Sequence, residues 1–133
     1  MKTKVKLVAI AKDEAAYLPE WISHHLHVGF DSIDIYVNNT TDNTSDLSLL
    51  LASNEKVNFI DGDHFFNSNI SKPQEEIYHF AHSEIIGSDF THMMFLDIDE
   101  YWTSKSLDKS IHDCLRVLDA DVICFEWFIR QSE

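Results

Sequence analysis

Hydrophobic and polar residues along the chain switch repeatedly between two periods, and the switches mark out the elements. Lys4 to Ile10 carries Val5, Leu7, Val8, Ala9 and Ile10, crowded toward its end, and predicts a first strand. Leu18, Trp21, Ile22, His25 and Leu26 then recur at helical spacing, with Pro19 in the first turn and Gly29 as the stop. Ser32 to Val37 is a second β-type run, and Leu47, Leu50 and Leu51 predict a short helix over Thr44 to Ser53, capped by Asn43 or Thr44. Val57 to Ile60 predicts a third strand, followed by a loop from Phe65 to Ser71. Pro73 opens a helix over Gln74 to Ile86 that turns Ile77, Phe80, Ala81 and Ile85 to the core, and Gly87 ends it. The unbroken apolar run Met93 to Leu96 reads as a strand buried on both faces. Ser106 is the expected cap of a helix carrying Leu107, Ile111, Cys114, Leu115 and Leu118, and Asp121 to Ile129 reads as a last strand.

Strands alternating with helices in this way predict a single α/β domain over residues 1–133, with a mainly parallel sheet and flanking helices. In such sheets ligands bind beyond the carboxyl ends of the strands. The first four expected strands all end in polar residues: Lys12-Asp13-Glu14, Asn38-Asn39, Asp61 to Asp63, and Asp97 to Asp99. A parallel sheet would gather these on one edge.

The last group offers the sharpest chemistry. In Asp97-Ile98-Asp99-Glu100, strand alternation would send Asp97 and Asp99 to one side and Ile98 to the other. Adjacent carboxylates at a strand end are costly unless a positive charge sits between them, and oxygen donors of this kind suit Mn2+ or Mg2+ better than zinc. No G-x-G-x-x-G or Walker pattern occurs, so a phosphate-bearing ligand would have to be held through such a cation. His24, His25 and His27, and the pair His79 and His82, lack a companion carboxylate in a metal arrangement and read as core or surface histidines. Trp21, Phe80, Trp102 and Trp127 read as core, with sugar stacking or lid packing a lesser option for Trp102.

Composition narrows the partners. A net charge of −13 opposes binding to nucleic acid through a basic stripe. Three glycines and two prolines are too few for a turn-dense β sandwich. Cys114 and Cys124 have no C-x-x-C spacing, which favours a reducing compartment. The opening KTKVKLVAIA is too short for a signal peptide or transmembrane segment, so the expected location is cytoplasmic, with the inner face of a membrane as an option. Because IRQSE follows an apolar run directly, the chain reads as the first part of a longer fold.

These pieces resemble a known family. VAIAKDEAAYLPEW at Val8 to Trp21, YVNNTTDNT at Tyr36 to Thr44, KPQEEIYHFAHSE at Lys72 to Glu84 and FLDIDEYW at Phe95 to Trp102 are similar, in order and spacing, to family-2-like glycosyltransferases of the GT-A type in the LDIDEF branch. The resemblance implies a Rossmann-like nucleotide-sugar-binding fold and sugar transfer from a nucleotide diphosphate-sugar, UDP-sugar favoured. A glycan or lipid-linked acceptor, and a role in polysaccharide biosynthesis, belong to the same expectation. It implies Mn2+ or Mg2+ at the D-x-D motif, held by Asp97 and Asp99, with Asp97 also at the donor ribose. Ala11, Glu14 and Asn38 would meet the base and ribose. Val37 and Asn38 depart from the D-N or D-D that relatives carry, and Lys72 is a loose substitute for a missing arginine.

Inverting relatives take their base from an acceptor half that follows the last strand, leaving Glu126 as the nearest and weak candidate here. Two other readings compete. One is a binding module of the same fold that holds a nucleotide or partner without turnover. The other is a haloacid-dehalogenase-type phosphohydrolase, which also sets D-x-D after a buried strand but expects Thr or Val where Tyr101 stands, and expects the motif near the N-terminus.

Overall fold

The structure, a computed structural model, describes residues 2–38, 46, 53–67 and 71–129. Its centre is a four-stranded parallel sheet in the order β3-β2-β1-β4, built from β1 (Val5–Ala11), β2 (Ser32–Val37), β3 (Val57–Asp61) and β4 (His92–Phe95). Helix α1 (Leu18–His27) connects β1 to β2. Helices α2 (Asp63–Asn67) and α3 (Pro73–Ile85) lie between β3 and β4, and α4 (Ile111–Arg116) follows β4. The helix expected over Thr44 to Ser53 lies, but for Asp46 and Ser53, outside the described residues.

Strand alternation divides the core into two layers. Val5, Leu7, Ala9 and Ala11 of β1, with Ile33 and Ile35 of β2, face Leu18, Trp21 and Ile22 of α1 and Ile111 and Leu115 of α4. Val8 of β1 and Tyr36 of β2 face the other way, onto Phe65 of α2 and Ile77 and Ala81 of α3. This sidedness follows from handedness. The chain steps from β1 outward to β2 and β3, then returns past β1 to β4. A right-handed crossover in each direction puts α1 on one face and α3 on the other. The reversal between β1 and β4 is a topological switch point.

The second layer also holds a mostly buried ion pair. The Lys6 ammonium lies 3.0 Å from Asp34, whose other oxygen accepts from the Asn58 amide at 3.0 Å. Lys6 also sits over the Phe90 ring, 4.5 Å from its centroid. Burial, and then the charge of Asp34, push the Tyr36 phenol up to about 12.

At the end of α1, Gly29 has a φ of +103°, in the region that disfavours side chains, and a Cβ there would meet Ser110 at 3.3 Å. This close approach seats α4, whose first amide, of Ile111, donates to the Val28 carbonyl at 2.8 Å.

Several expected elements differ. Phe65 to Asn67 belongs to a helix, not a loop; Phe65 is buried against Tyr36 and Phe80, which rewards helical geometry. Helix α4 is capped by Ser110, not Ser106, because Ser110 and Asp113 form a reciprocal capping box. Leu107 lies before that helix with a φ of 64°, exposed, and Leu118 lies beyond it. β4 is not buried on both faces: it occupies the sheet edge, and Phe95 is exposed. Asp121 to Ile129 forms no strand; Val122, Trp127, Phe128 and Ile129 are exposed, and Ile123 alone of the stretch packs as a partly buried residue on the core. Trp127 is therefore not core, and Phe80 is only partly so.

Breaking the mostly buried pair should leave Lys6 uncompensated. Asp34→Ala is expected to lower the unfolding free energy by about 3 kcal/mol in urea titrations.

Candidate functional site at the carboxyl edge of the sheet

All strands run parallel, so their polar ends converge on one edge, as the sequence predicts. Asp13 follows β1 with a φ of 53°, a left-handed conformation that aspartate tolerates better than most residues. Glu14 is half-buried, and its carbonyl accepts the amides of Tyr17 at 2.9 Å and Leu18 at 3.1 Å, which starts α1. Ala11 is buried at the end of β1, and its carbonyl accepts the Asn38 amide at 2.9 Å. This bond brings the expected base-binding residues of β1 and β2 together. Among the described residues the buried side-chain Oδ1 of Asn38 has no hydrogen-bond partner, an acceptor that calls for a donor.

The acidic stretch lies across the switch point, after β4. It is a turn rather than a strand. The Asp97 carbonyl accepts the Glu100 amide at 3.0 Å, and the Glu100 carboxylate folds back to accept the Asp97 amide at 2.9 Å. Ile98 is buried in the core while Asp97 and Asp99 are exposed, so the expected division of side chains holds although the backbone that produces it differs. Burial raises the Asp97 carboxyl above its ordinary value, and the charges of Glu100 and Asp99 raise it further. The phenol of Tyr78 of α3, whose ring lies tilted against Phe95 with centroids 4.2 Å apart, is raised by burial and then by Asp97 and Glu100. At this turn the acidic neighbours of Asp97 therefore add to the cost of its ionised form.

The turn is held from below by α1, through main-chain atoms only. The buried Trp21 indole donates to the carbonyls of Asp97 at 3.1 Å and Glu100 at 2.8 Å. His24 Nε2 donates to the Trp102 carbonyl at 2.7 Å. His25 Nε2 accepts the Trp102 amide at 3.1 Å, which places its proton on Nδ1, bonded to the Trp21 carbonyl at 2.8 Å. Burial lowers the His25 imidazole from 6.5 to about 4, against the partial support of the Trp21 carbonyl. The sequence shows Trp21 and His25 as members of an apolar helical stripe and His24 as a core or surface histidine; the usable signal is that the polar-tipped Trp21, His24 and His25 fall three and four apart on one helix.

Trp102 is buried between Phe30, 6.3 Å away, and Phe125, 5.8 Å away, so it does not offer a face for sugar stacking. Among the described residues its indole nitrogen has no partner. Glu126 is exposed in the irregular stretch after α4. An open hollow of about 450 Å³ over Ser53, Asn54, Glu55 and Lys56 precedes β3, at the opposite end of the sheet from the acidic turn.

Among the described residues, no group of three or more His, Cys, Asp or Glu side chains is arranged to hold a metal ion. A cation on Asp97 and Asp99 would take its other oxygens from a ligand and from water, the usual pattern for magnesium on phosphates. The clustering of acidic groups around Asp97 suits that arrangement. No helix among the described residues is long and apolar enough to cross a membrane. Comparison with family models, with curated proteins and with solved structures finds no match for the chain.

Two consequences are measurable. Since the folded state raises the Asp97 carboxyl, ionised Asp97 works against folding at neutral pH. Asp97→Asn should raise Tm slightly, by about 1 °C at pH 7 with a chelator present, since solvent screens an exposed carboxylate; scanning calorimetry reads the shift. His25 has the opposite sense: its lowered value gives stability that is complete above 6.5 and is lost as pH falls toward 4. Urea titrations should show His25→Gln less stable than wild type at pH 7, with the gap closing by on the order of 3 kcal/mol by pH 4.

Proposed function

We propose that the chain binds a nucleotide diphosphate-sugar at the carboxyl edge of the sheet and serves in glycosyl transfer, as the donor-binding part of a GT-A-like glycosyltransferase. One observation carries the reading: the acidic turn is pinned beside the β1/β4 switch point, where α/β sheets bind ligands, with its carboxylates turned outward. The unpaired Oδ1 of Asn38 on the same edge is a second support, since the donor groups of a base or ribose would satisfy it.

In this reading Asp97 and Asp99 hold Mn2+ or Mg2+, and Asp97 also approaches the donor ribose. Ala11, Glu14 and Asn38 line the place for the base and ribose, with uridine favoured. When bound, the cation supplies Lewis-acid stabilisation of the departing diphosphate. The chain's own contribution is to fix the carboxylates in place before the ligand arrives, so that little reorganisation accompanies binding. The acceptor, a glycan or a lipid-linked sugar, would enter from the solvent side of the same edge. Glu126 receives no catalytic role, because its exposed, irregular setting supplies none of the orientation that a general base needs.

Calorimetric titration of UDP and GDP, with and without Mn2+, tests the reading on wild type and on Asp99→Ala. Manganese-dependent binding should appear in the wild type and weaken by roughly 100-fold or more in the variant. A folded wild type that binds neither nucleotide would sink the proposal. Hydrolysis or transfer of the sugar from a bound donor then separates an enzyme from a module that only binds.

A further inference from the structure

We infer that Trp21, His24 and His25 are positioning residues for the acidic turn, acting together as a latch that holds its main chain so that Asp97 and Asp99 stand ready for a ligand. The inference rests on the nucleotide reading only for what the turn binds; the latch itself rests on geometry. The Trp21 indole bonds the carbonyls that open and close the turn, of Asp97 and Glu100, at 3.1 and 2.8 Å. His24 and His25 take the carbonyl and the amide of Trp102 at 2.7 and 3.1 Å. Tyr101 covers the histidines, stacked on His25 with ring centroids 5.7 Å apart and edge-on to His24 at 5.1 Å.

Each partner has one workable role. The Trp102 carbonyl needs a donor, which His24 supplies as a ring N–H; the Trp102 amide needs an acceptor, which His25 supplies as a bare ring nitrogen; and the paired carbonyls need a donor, which Trp21 supplies as its indole N–H. The latch touches no carboxylate oxygen of Asp97 or Asp99, so it shapes the site without competing for what the site would bind. A turn with carboxylates at Asp97, Asp99 and Glu100 repels itself, and bonds from side chains of α1 to its main chain are a way to hold it compact while Asp97 and Asp99 stay available.

The test compares hydrogen exchange and UDP binding with Mn2+ on the full chain, for wild type, Trp21→Phe, His24→Leu, His24→Gln and Ile22→Val. Trp21→Phe removes the donor but keeps an aromatic ring in the core. His24→Gln restores an amide N–H at similar reach, whereas His24→Leu does not. Ile22→Val loosens the same helix without touching the latch. Amides from Ile98 to Trp102 should exchange about tenfold faster in Trp21→Phe and His24→Leu than in wild type. His24→Gln and Ile22→Val should stay near wild type, and nucleotide affinity should fall about fivefold or more wherever the turn has loosened. The latch is overturned by unchanged exchange in both donor-deleting variants, by His24→Gln as impaired as His24→Leu, or by Ile22→Val loosening the turn equally. Unchanged affinity in a variant whose turn has loosened overturns it as well. A wild type that binds no nucleotide removes the functional reading instead, and the exchange data then decide the latch by themselves.

Discussion

The indole of Trp21 reaches out of the core and donates to both carbonyls that frame Asp97-Ile98-Asp99-Glu100. Much else depends on that contact. It requires α1 to lie on the face of the sheet where odd-numbered residues of β1 point, and it requires β4 to lie beside β1 rather than beyond β3. Both conditions come from the reversal in strand order, because the crossovers on either side of it must share one hand. The buried anchors Ile98 and Trp102 complete the arrangement by fastening the turn into the same core.

Charge is managed differently at the two levels of the sheet. In its mostly buried body, Asp34 is matched by Lys6 and by the Asn58 amide, which offset its desolvation. At the carboxyl edge, Asp97 is raised by burial and by its acidic neighbours Glu100 and Asp99. A fold that satisfies its interior acid and raises Asp97 at the carboxyl edge departs there from local consistency, and such departures are a physical ground for proposing a site.

The parts of the fold legible in the sequence were those whose signal is local. Apolar periodicity over Lys4 to Ile10, Leu18 to Leu26, Ser32 to Val37 and Val57 to Ile60 corresponds to elements of the structure within a residue or so at each end. The gathering of Lys12 to Glu14, Asn38, Asp61 and Asp97 on one edge followed from the alternation of strands and helices alone. Less legible were features set by a distant partner. Asp121 to Ile129 has the composition of a strand but no neighbouring strand, and an apolar run states only a demand for burial, not the means of meeting it. Ser106 and Ser110 both suit a cap, and the choice was made by Asp113 three residues on and by the close approach at Gly29.

The sequence by itself determined the class of the fold, the edge where polar residues collect and the candidacy of Asp97 and Asp99, because strand and helix periods are properties of consecutive residues. Only the tertiary structure decided that the acidic stretch is a turn, that Trp102 is buried rather than available for stacking, and that Trp21, His24 and His25 grip the turn's main chain. Those bonds join positions more than seventy residues apart. No local pattern encodes them, since their donors and acceptors meet only after the chain has returned past β1 to add β4.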